Sequence, residues 1–205
     1  MKKLFVLILF FYLPLFAQYN VTVYSGITTD NLLNLSFLPN ITYKDGINLG
    51  ISANYKIVGL LNVSPTVEYT SYKFNKFSPG IMLQEIGNDF ASSNGDNLKN
   101  IRLALDVKLI KPNNDPFRVF VYTGVSYLIE DYGSFTEVWR NVNGTNSVQT
   151  SSVGEYYHFV HDFGLGFIVK IYENYGFLIN GQYYSNYNGL FRYSANAGIV
   201  YNFAH

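Results

Sequence analysis

Residues 47–57, which read Ile-Asn-Leu-Gly-Ile-Ser-Ala-Asn-Tyr-Lys-Ile, alternate between two kinds of side chain. Every odd position is apolar or aromatic, and every even position is polar or glycine. Because successive side chains of a β-strand point to opposite faces, this pattern predicts a strand with one apolar and one polar face.

The same period of two recurs along most of the chain, and no stretch of comparable length follows a helical period. The pattern predicts eight strands, each close to the ~9–11 residues that a tilted membrane strand needs. The predicted strands are residues 21–28, 47–57, 63–73, 101–109, 117–127, 163–171, 176–185 and 191–203.

The connections between these strands alternate in length. Short turns near residues 58–62, 111–116 and 172–175 alternate with long segments at 29–46, 74–98 and 128–158, and a short loop at 186–190 joins the last pair. Outer-membrane barrels have short turns at one end and longer loops at the other. The sequence therefore predicts an all-β fold, an eight-stranded antiparallel up-and-down transmembrane barrel with both termini at the short-turn end.

The N-terminus has the composition of a secretory signal. Lys2 and Lys3 precede a nearly unbroken apolar run from Leu4 to Phe16, and Ala17 follows. This predicts a signal peptide over residues 1–17 and a barrel domain over residues 18–205. The alternative is an uncleaved membrane anchor.

Composition excludes several classes of function. The 14 basic and 14 acidic residues cancel, which argues against nucleic-acid binding, and the absence of cysteine excludes disulfide scaffolds and thiol chemistry. Aromatic residues make up 18% of the chain. Neither a cofactor nor a metal site is predicted.

Alternation alone leaves two barrels possible, a soluble lipocalin-like barrel with its apolar face inside and a membrane barrel with its apolar face outside. Aromatic residues near the strand ends favour the membrane barrel, because such barrels carry aromatic girdles. Small residues on the polar face also favour it, because an eight-stranded interior is narrow. These are Gly50, Ser52, Ala104, Gly124, Ser126, Gly164, Gly166, Ser194 and Gly198.

The polar face then brings charges of both signs into the interior. Since unpaired buried charges are costly, mutual pairing in a filled interior is favoured over an ion channel. The predicted interior network comprises Glu68, Arg102, Asp106, Arg118, Asp162 and Arg192, and Lys56, Lys108 and Lys170 lie on the same face.

The last strand carries Asn196-Ala-Gly-Ile-Val-Tyr-Asn-Phe203. This resembles the C-terminal signal of outer-membrane barrels, and the chain as a whole resembles the small outer-membrane β-barrel family of the outer-membrane protein A and X type. The resemblance implies a Gram-negative-type outer membrane, surrounding outer-membrane lipid, and recognition of Gly198, Tyr201 and Phe203 by the barrel-assembly machinery. It implies no single activity.

Function in such barrels usually resides in the loops. In the segment 128–158, Asn143-Gly144 predicts a tight hairpin turn, so the flanking barrel strands are expected to protrude as a hairpin. Phe135, Trp139 and Arg140 are candidates for contacting an extracellular or envelope protein. The alternative, which is favoured for Trp139, is a place in the outer aromatic girdle.

A rim enzyme acting on lipid is the rival hypothesis. His158 and His161 lie near Ser151, Ser152 and Glu155 in sequence, but histidines three apart on a strand point to opposite faces. No nucleophile motif supports the idea. A non-enzymatic structural or surface-interaction protein is therefore favoured, with a lipid hydrolase or acyltransferase, or a narrow channel, as alternatives.

Overall fold

The computed structural model describes residues 19–32, 40–78, 88–111, 115–141, 143–186 and 190–203. The predicted signal peptide, residues 1–17, lies outside them. The described residues form eleven strands. They are β1 (Tyr19–Leu32), β2 (Asn40–Val58), β3 (Leu61–Ser78), β4 (Asn88–Gly95), β5 (Leu98–Ile110), β6 (Phe117–Asp131), β7 (Ser134–Asn141), β8 (Asn146–Ser152), β9 (Glu155–Tyr172), β10 (Tyr175–Ser185) and β11 (Leu190–Asn202).

Eight of these strands close into an antiparallel barrel in the order β1-β11-β10-β9-β6-β5-β3-β2. Each barrel strand pairs with the next barrel strand along the chain, and β11 closes the barrel on β1, where Tyr24 faces Gly198. The predicted up-and-down transmembrane barrel is confirmed. Both ends of the described chain lie at the short-turn end, where the Phe203 amide donates to the Tyr19 carbonyl at 3.1 Å.

The alternation of exposure settles which face points outward. The interior carries polar and charged side chains, among them Asn48, Glu68 and Arg102, and the outer surface is apolar. This is the arrangement of a membrane barrel, not of a lipocalin-like one. The outward apolar residues include Val23, Ile27, Ile47, Leu49, Ile51, Val67, Leu103, Leu105, Val107, Val119, Val121, Val125, Phe163, Leu165, Ile179 and Ile199. Within the described ranges no helix is long and apolar enough to cross a membrane.

Two bands of aromatic side chains border this apolar surface. At the short-turn end Tyr19 stacks on Phe203, with ring centroids 4.2 Å apart. At the long-loop end Tyr127 packs against Phe159 at 5.0 Å, and Tyr183 packs against Tyr193 at 5.1 Å. The two bands correspond to the predicted girdles, since aromatic rings prefer the membrane–water interface.

Glycines inside the barrel make room for large rings. A Cβ at Gly50 would lie 2.2 Å from the Tyr24 ring, and a Cβ at Gly164 would lie 2.2 Å from the Tyr122 ring. The absence of a side chain at these positions lets the tyrosines lie flat across the neighbouring strand. Gly50 and Gly164, two of the predicted small residues, are therefore each paired with a tyrosine ring.

A second sheet, in the order β4-β7-β8, lies beyond the long-loop end and corrects the predicted strand count of eight. β6 and β9 do protrude, but the hairpin is not their straight continuation. Gly133 and Gly154 adopt positive φ angles of 62° and 82° at the two junctions. The Tyr132 amide bonds the Gly154 carbonyl, and the Val153 amide bonds the Gly133 carbonyl. The paired glycines redirect both strands together, which lets β7 pair with β4.

The predicted Asn143-Gly144 turn joins β7 to β8, and Gly144 has a φ of 76°. A left-handed conformation at this glycine is what a tight hairpin requires.

Candidate functional site

The middle of the barrel interior is organised around Arg102 of β5. Arg102 Nη2 lies 3.4 Å from Glu68 Oε2, and Arg102 Nη1 lies 3.2 Å from Asp162 Oδ1. The Tyr24 hydroxyl donates a hydrogen bond of 2.8 Å to the same Glu68 oxygen. All of these side chains are buried, so one cation holds together carboxylates from two other strands.

A second ion cluster lies nearer the long-loop end and is centred on Glu130, which the sequence analysis did not select. Arg192 Nη1 pairs with Glu130 Oε1. His158 Nε2 lies 3.3 Å from Glu130 Oε2, and the Tyr132 hydroxyl donates to that oxygen at 3.2 Å. Glu130 was missed because the predicted strand ended at residue 127. Extending the even-numbered inward positions of β6 would have found it.

The remaining members of the predicted network lie nearer the short-turn end. Arg118 Nη2 is 3.4 Å from the Asn202 side-chain oxygen. Asp106 is buried, and its Oδ1 accepts no hydrogen bond from the described residues. Lys108, a further inward charge, donates to Asn54 Oδ1 at 2.6 Å.

The prediction that Lys170 lies on the inward face is wrong, because Lys170 is exposed and not inside the barrel. It lies near the end of β9, where the register with β10 shifts between Tyr175 and Gly176. A flexible amine at the barrel edge reaches water instead of entering the interior.

Apolar side chains lie inside the barrel on both sides of the central ion cluster. A lower cluster toward the short-turn end comprises Tyr24, Ile110, Phe120, Tyr122, Ile168, Leu178 and Val200. An upper cluster comprises Leu128, Val160, Tyr184 and Leu190. A rim cluster beyond it comprises Tyr43, Tyr72, Leu98, Tyr132 and Phe135.

The rim cluster joins the second sheet to the barrel. Phe135 of β7 is buried in it, and Trp139 packs against it. The Trp139 indole N–H donates to Glu137 Oε2 at 2.9 Å. Trp139 therefore does not belong to the outer girdle, and Phe135 is a packing residue instead of a surface anchor. Arg140 is exposed, as a partner-contacting residue must be.

The outer strand of the second sheet, β8, has one edge without a strand partner among the described residues. β8 pairs with β7 on its other side, since the sheet order is β4-β7-β8. Nearly all of the residues of β8 are exposed, and Val148 retains 67% of its surface. The sequence of β8, Asn-Ser-Val-Gln-Thr-Ser-Ser, contains neither a charge nor a proline. Charged residues and prolines are the features with which proteins usually prevent an open edge from pairing with another strand.

A polar junction fixes the base of the second sheet. Asp96 Oδ2 accepts hydrogen bonds from the Ser134 amide at 2.9 Å and from the Ser134 hydroxyl at 2.8 Å. These two bonds favour the carboxylate and lower the pKa of Asp96. The Asp96 amide in turn donates to the Ser134 carbonyl at 2.9 Å.

The residues of the enzyme hypothesis do not form a catalytic set. His158 points inward to Glu130, whereas His161 is exposed on the opposite face, as the sequence spacing predicted. Ser151 and Ser152 lie in β8 of the second sheet, and in the described part of the chain neither is a partner of His158. No group of three or more metal-binding side chains occurs in the residues that the structure describes.

The three residues of the C-terminal motif lie on β11 and just beyond it. Gly198 packs against Tyr24, and its Cβ would lie 2.6 Å from that of the tyrosine. Tyr201 and Phe203 pack edge to face at 4.7 Å in the girdle of the short-turn end.

No protein-family model matches this sequence, and no curated protein matches it either. Solved structures do. Neisserial surface protein A (NspA) is 16% identical, with a TM-score of 0.50 over 90% of this chain and 96% of that one. Ail, the attachment invasion locus protein of Yersinia pestis, is 13% identical, with a TM-score of 0.46 over 91% and 99%. A major outer membrane protein from Thermus thermophilus is 14% identical, with a TM-score of 0.49 over 92% and 100%.

At these identities the likeness bears on architecture and not on activity. The structural match to NspA extends over nearly the whole length of both chains. This match and the closed order of eight antiparallel strands together show that this chain has the fold of the small eight-stranded outer-membrane β-barrels.

Proposed function

We propose that this protein is a non-enzymatic surface protein of a Gram-negative-type outer membrane, and that it contacts an extracellular or envelope protein through its second sheet. The observation that carries the proposal is the sheet itself. It is fixed to the long-loop end of the barrel by the rim cluster, and the outer edge of β8 has no partner strand in the described part of the chain. A sheet that is packed against the barrel and has an open edge strand suits recognition by strand addition, in which an extended partner segment pairs with the edge.

The apolar outer surface and its two aromatic bands support integration into lipid. An N-terminal signal peptide, residues 1–17, would deliver the chain to the envelope. Under this proposal the second sheet faces the outside of the cell, because the long loops of such barrels do.

The buried ion clusters and the apolar clusters beside them support a filled interior without a conducting path. Eight strands leave an interior just wide enough for side chains to fill. The protein would then act through its surface and not as a channel.

Fractionation tests the location. The full-length chain should appear in the outer membrane with Gln18 as its N-terminus, and an unboiled sample should migrate faster on a detergent gel than a boiled one. A soluble periplasmic product with unchanged mobility would overturn the proposal.

Trypsin treatment of intact cells tests the orientation. Cleavage after Arg140 is expected, because this residue is exposed at the end of β7. Lys170 is the matched control, because it is exposed near the short turn after β9 and should be protected by the intact membrane. Cleavage at Lys170 without cleavage at Arg140 would reverse the orientation.

A photo-crosslinker at position 149, in the middle of β8, tests the partner. On intact cells exposed to serum proteins it should yield a protein adduct, and the same crosslinker at Leu60 in a short turn should not. Equal labelling at both positions, or none at position 149, would contradict recognition by the edge.

We also propose that Gly198, Tyr201 and Phe203 form the signal that the barrel-assembly machinery reads. Replacing Phe203 with Ala should lower the folded fraction in cells while leaving refolding into detergent micelles unchanged. Phe191→Ala is the control, because Phe191 is also a girdle residue, stacked on Tyr183 at the other end of the same strand. Equal losses in both variants would show that girdle packing alone is responsible.

A further inference from the structure

A small cavity lies inside the barrel between the central ion cluster and the lower cluster. Its volume is about 20 Å³, and its polar lining includes Arg102 and Asp106 from β5 and Asn180 and Gln182 from β10. These two strands lie on well-separated parts of the barrel wall, with β6 and β9 between them. All of these side chains are more than nine-tenths buried.

Each of these four side chains has a polar atom without a partner among the described residues. Two are acceptors, Asp106 Oδ1 and Asn180 Oδ1, and two are donors, Gln182 Nε2 and Arg102 Nε. The amide orientation of Gln182 is set by Tyr122, whose hydroxyl donates to Gln182 Oε1 at 3.1 Å. Buried polar atoms in folded proteins nearly always have a hydrogen-bond partner, and all four side chains line this cavity, so a molecule in the cavity is a partner that they can share.

The chemistry of the lining identifies that ligand. A cation would face the donors of Gln182 and the positive side chains of Arg102 and Lys108, whereas an anion would face the oxygens of Asp106 and Asn180. Water is the small molecule that donates two hydrogen bonds and accepts two. A cavity of about 20 Å³ exceeds the ~10–15 Å³ that one water needs.

We propose that this cavity is a structural hydration site, in which a water molecule joins Asp106 to Asn180 and Gln182 across the barrel. The water donates a hydrogen bond to Asp106, and it adds a hydrogen-bonded link between β5 and β10, which are also in contact where Arg102 lies over the Tyr184 ring. The site lies inside the packed interior, so it is a fixed bridge and not part of a pore.

A crystal structure at high resolution, from crystals grown with rubidium bromide, tests this proposal. A density peak of water is expected within about 2.6–3.2 Å of Asp106 Oδ1 and Asn180 Oδ1, without anomalous signal. An anomalous peak of rubidium or bromide at the site would reassign it to an ion. A direct contact between Asp106 and Asn180, with no density peak between them, would contradict the proposed hydration site.

Variants in micelles give an independent measurement. Cross-relaxation between the Gln182 side-chain amide protons and a long-lived water should persist in Asp106→Asn, which keeps an acceptor oxygen. It should vanish in Asp106→Leu, which fills the cavity without one. If Asp106→Leu does not give the fast-migrating folded form, Asn180→Leu takes its place. Persistence of the signal in the leucine variant that folds would overturn the proposal.

Discussion

At the scale of single residues, Arg102 is the side chain on which the interior charges depend most. It is the cation that pairs with both Glu68 and Asp162, and all three are almost completely buried. Removing one member of a buried ion cluster leaves its partners charged and unpaired, which costs more than the intact cluster contributes. The consequences of losing the cation and of losing the whole cluster should therefore differ.

Replacing Arg102 with Met should lower the free energy of unfolding by about 3–5 kcal/mol. The triple variant Arg102→Met, Glu68→Gln, Asp162→Asn should recover much of this loss, because it leaves no unpaired charge in this cluster. Urea titration in lipid vesicles measures both. Lys111→Met, which breaks an exposed pair with Asp115 at 4.0 Å, should change stability by less than ~1 kcal/mol. A loss for Arg102→Met as small as that of Lys111→Met would contradict the buried cluster.

Asp96 offers a residue-scale prediction on pH. Its two hydrogen bonds from Ser134 lower the pKa of its carboxyl group in the folded protein. Since the folded pKa lies below the unfolded one, the stabilisation is fully present above the unfolded pKa and is lost as pH falls through the folded pKa.

The amide resonance of Ser134 should accordingly titrate with a midpoint below 3.8, the ordinary value for an aspartate. Nuclear magnetic resonance of the protein in micelles follows this shift directly. Asp96→Asn removes the titrating group and should flatten the curve. A midpoint at or above the ordinary value would show that the Ser134 bonds are not held in solution.

At the scale of strands, the pairing of Gly50 of β2 with Tyr24 of β1 lets the Tyr24 ring lie across the neighbouring strand inside the barrel. Gly50→Ala would place a Cβ 2.2 Å from the Tyr24 ring, so the ring must move. Overpacking of this kind costs about 1–3 kcal/mol. Gly181→Ala is the matched control, because a Cβ there meets nothing within 4 Å.

Urea titration should therefore show a loss for Gly50→Ala and none for Gly181→Ala, although both place alanine in a barrel strand. Equal stability of the two variants would mean that the Tyr24 ring does not lie across Gly50. Equal losses would point to backbone propensity and not to the contact.

The barrel strands were largely predictable, because a period of two is visible wherever one face meets lipid and the other meets the interior. Positions 47 to 55 alternate in sequence as they do in exposure. The predicted boundaries were too short at the long-loop end. At that end the inward residues Leu128 and Val160 are apolar, so they interrupt the polar inward row before Glu130 and His158.

The second sheet was not predictable in the same way. β8 is polar on both faces, and β4, at the other edge of the same sheet, comes much earlier in the chain, so no local pattern specifies their common sheet. The turn at Asn143-Gly144 was predictable because it is local chemistry. The redirection at Gly133 and Gly154 depends on two glycines that meet only in the folded chain.

Inside the barrel most of the inward charges were predictable, with Glu130 missed and Lys170 wrongly included, whereas their pairing was not. Arg102 and Glu68 face each other in register on β5 and β3, whereas Arg192 and Glu130 come from strands that are not neighbours. Such a pair depends on the tilt and stagger of the closed barrel, which alternation does not encode.

At the scale of the whole molecule, the interior is occupied in layers. The lower cluster lies toward the short-turn end, the central ion cluster follows, and the Glu130 cluster and the upper cluster lie nearer the loops. An ion crossing the barrel would have to separate buried charge pairs and pass apolar side chains, and both steps are costly.

The purified protein should therefore produce no steady conductance in planar bilayers, where a porin preparation provides the positive control. Loosening one of these layers should not be enough to create a conducting path. Phe120→Ala with Leu178→Ala loosens the lower cluster but leaves both ion clusters and the upper cluster in place, so this variant should also be silent. A steady conductance of the unaltered protein whose ion selectivity changes in Glu68→Gln would contradict the proposed filled interior, because it would place Glu68 on a conducting path.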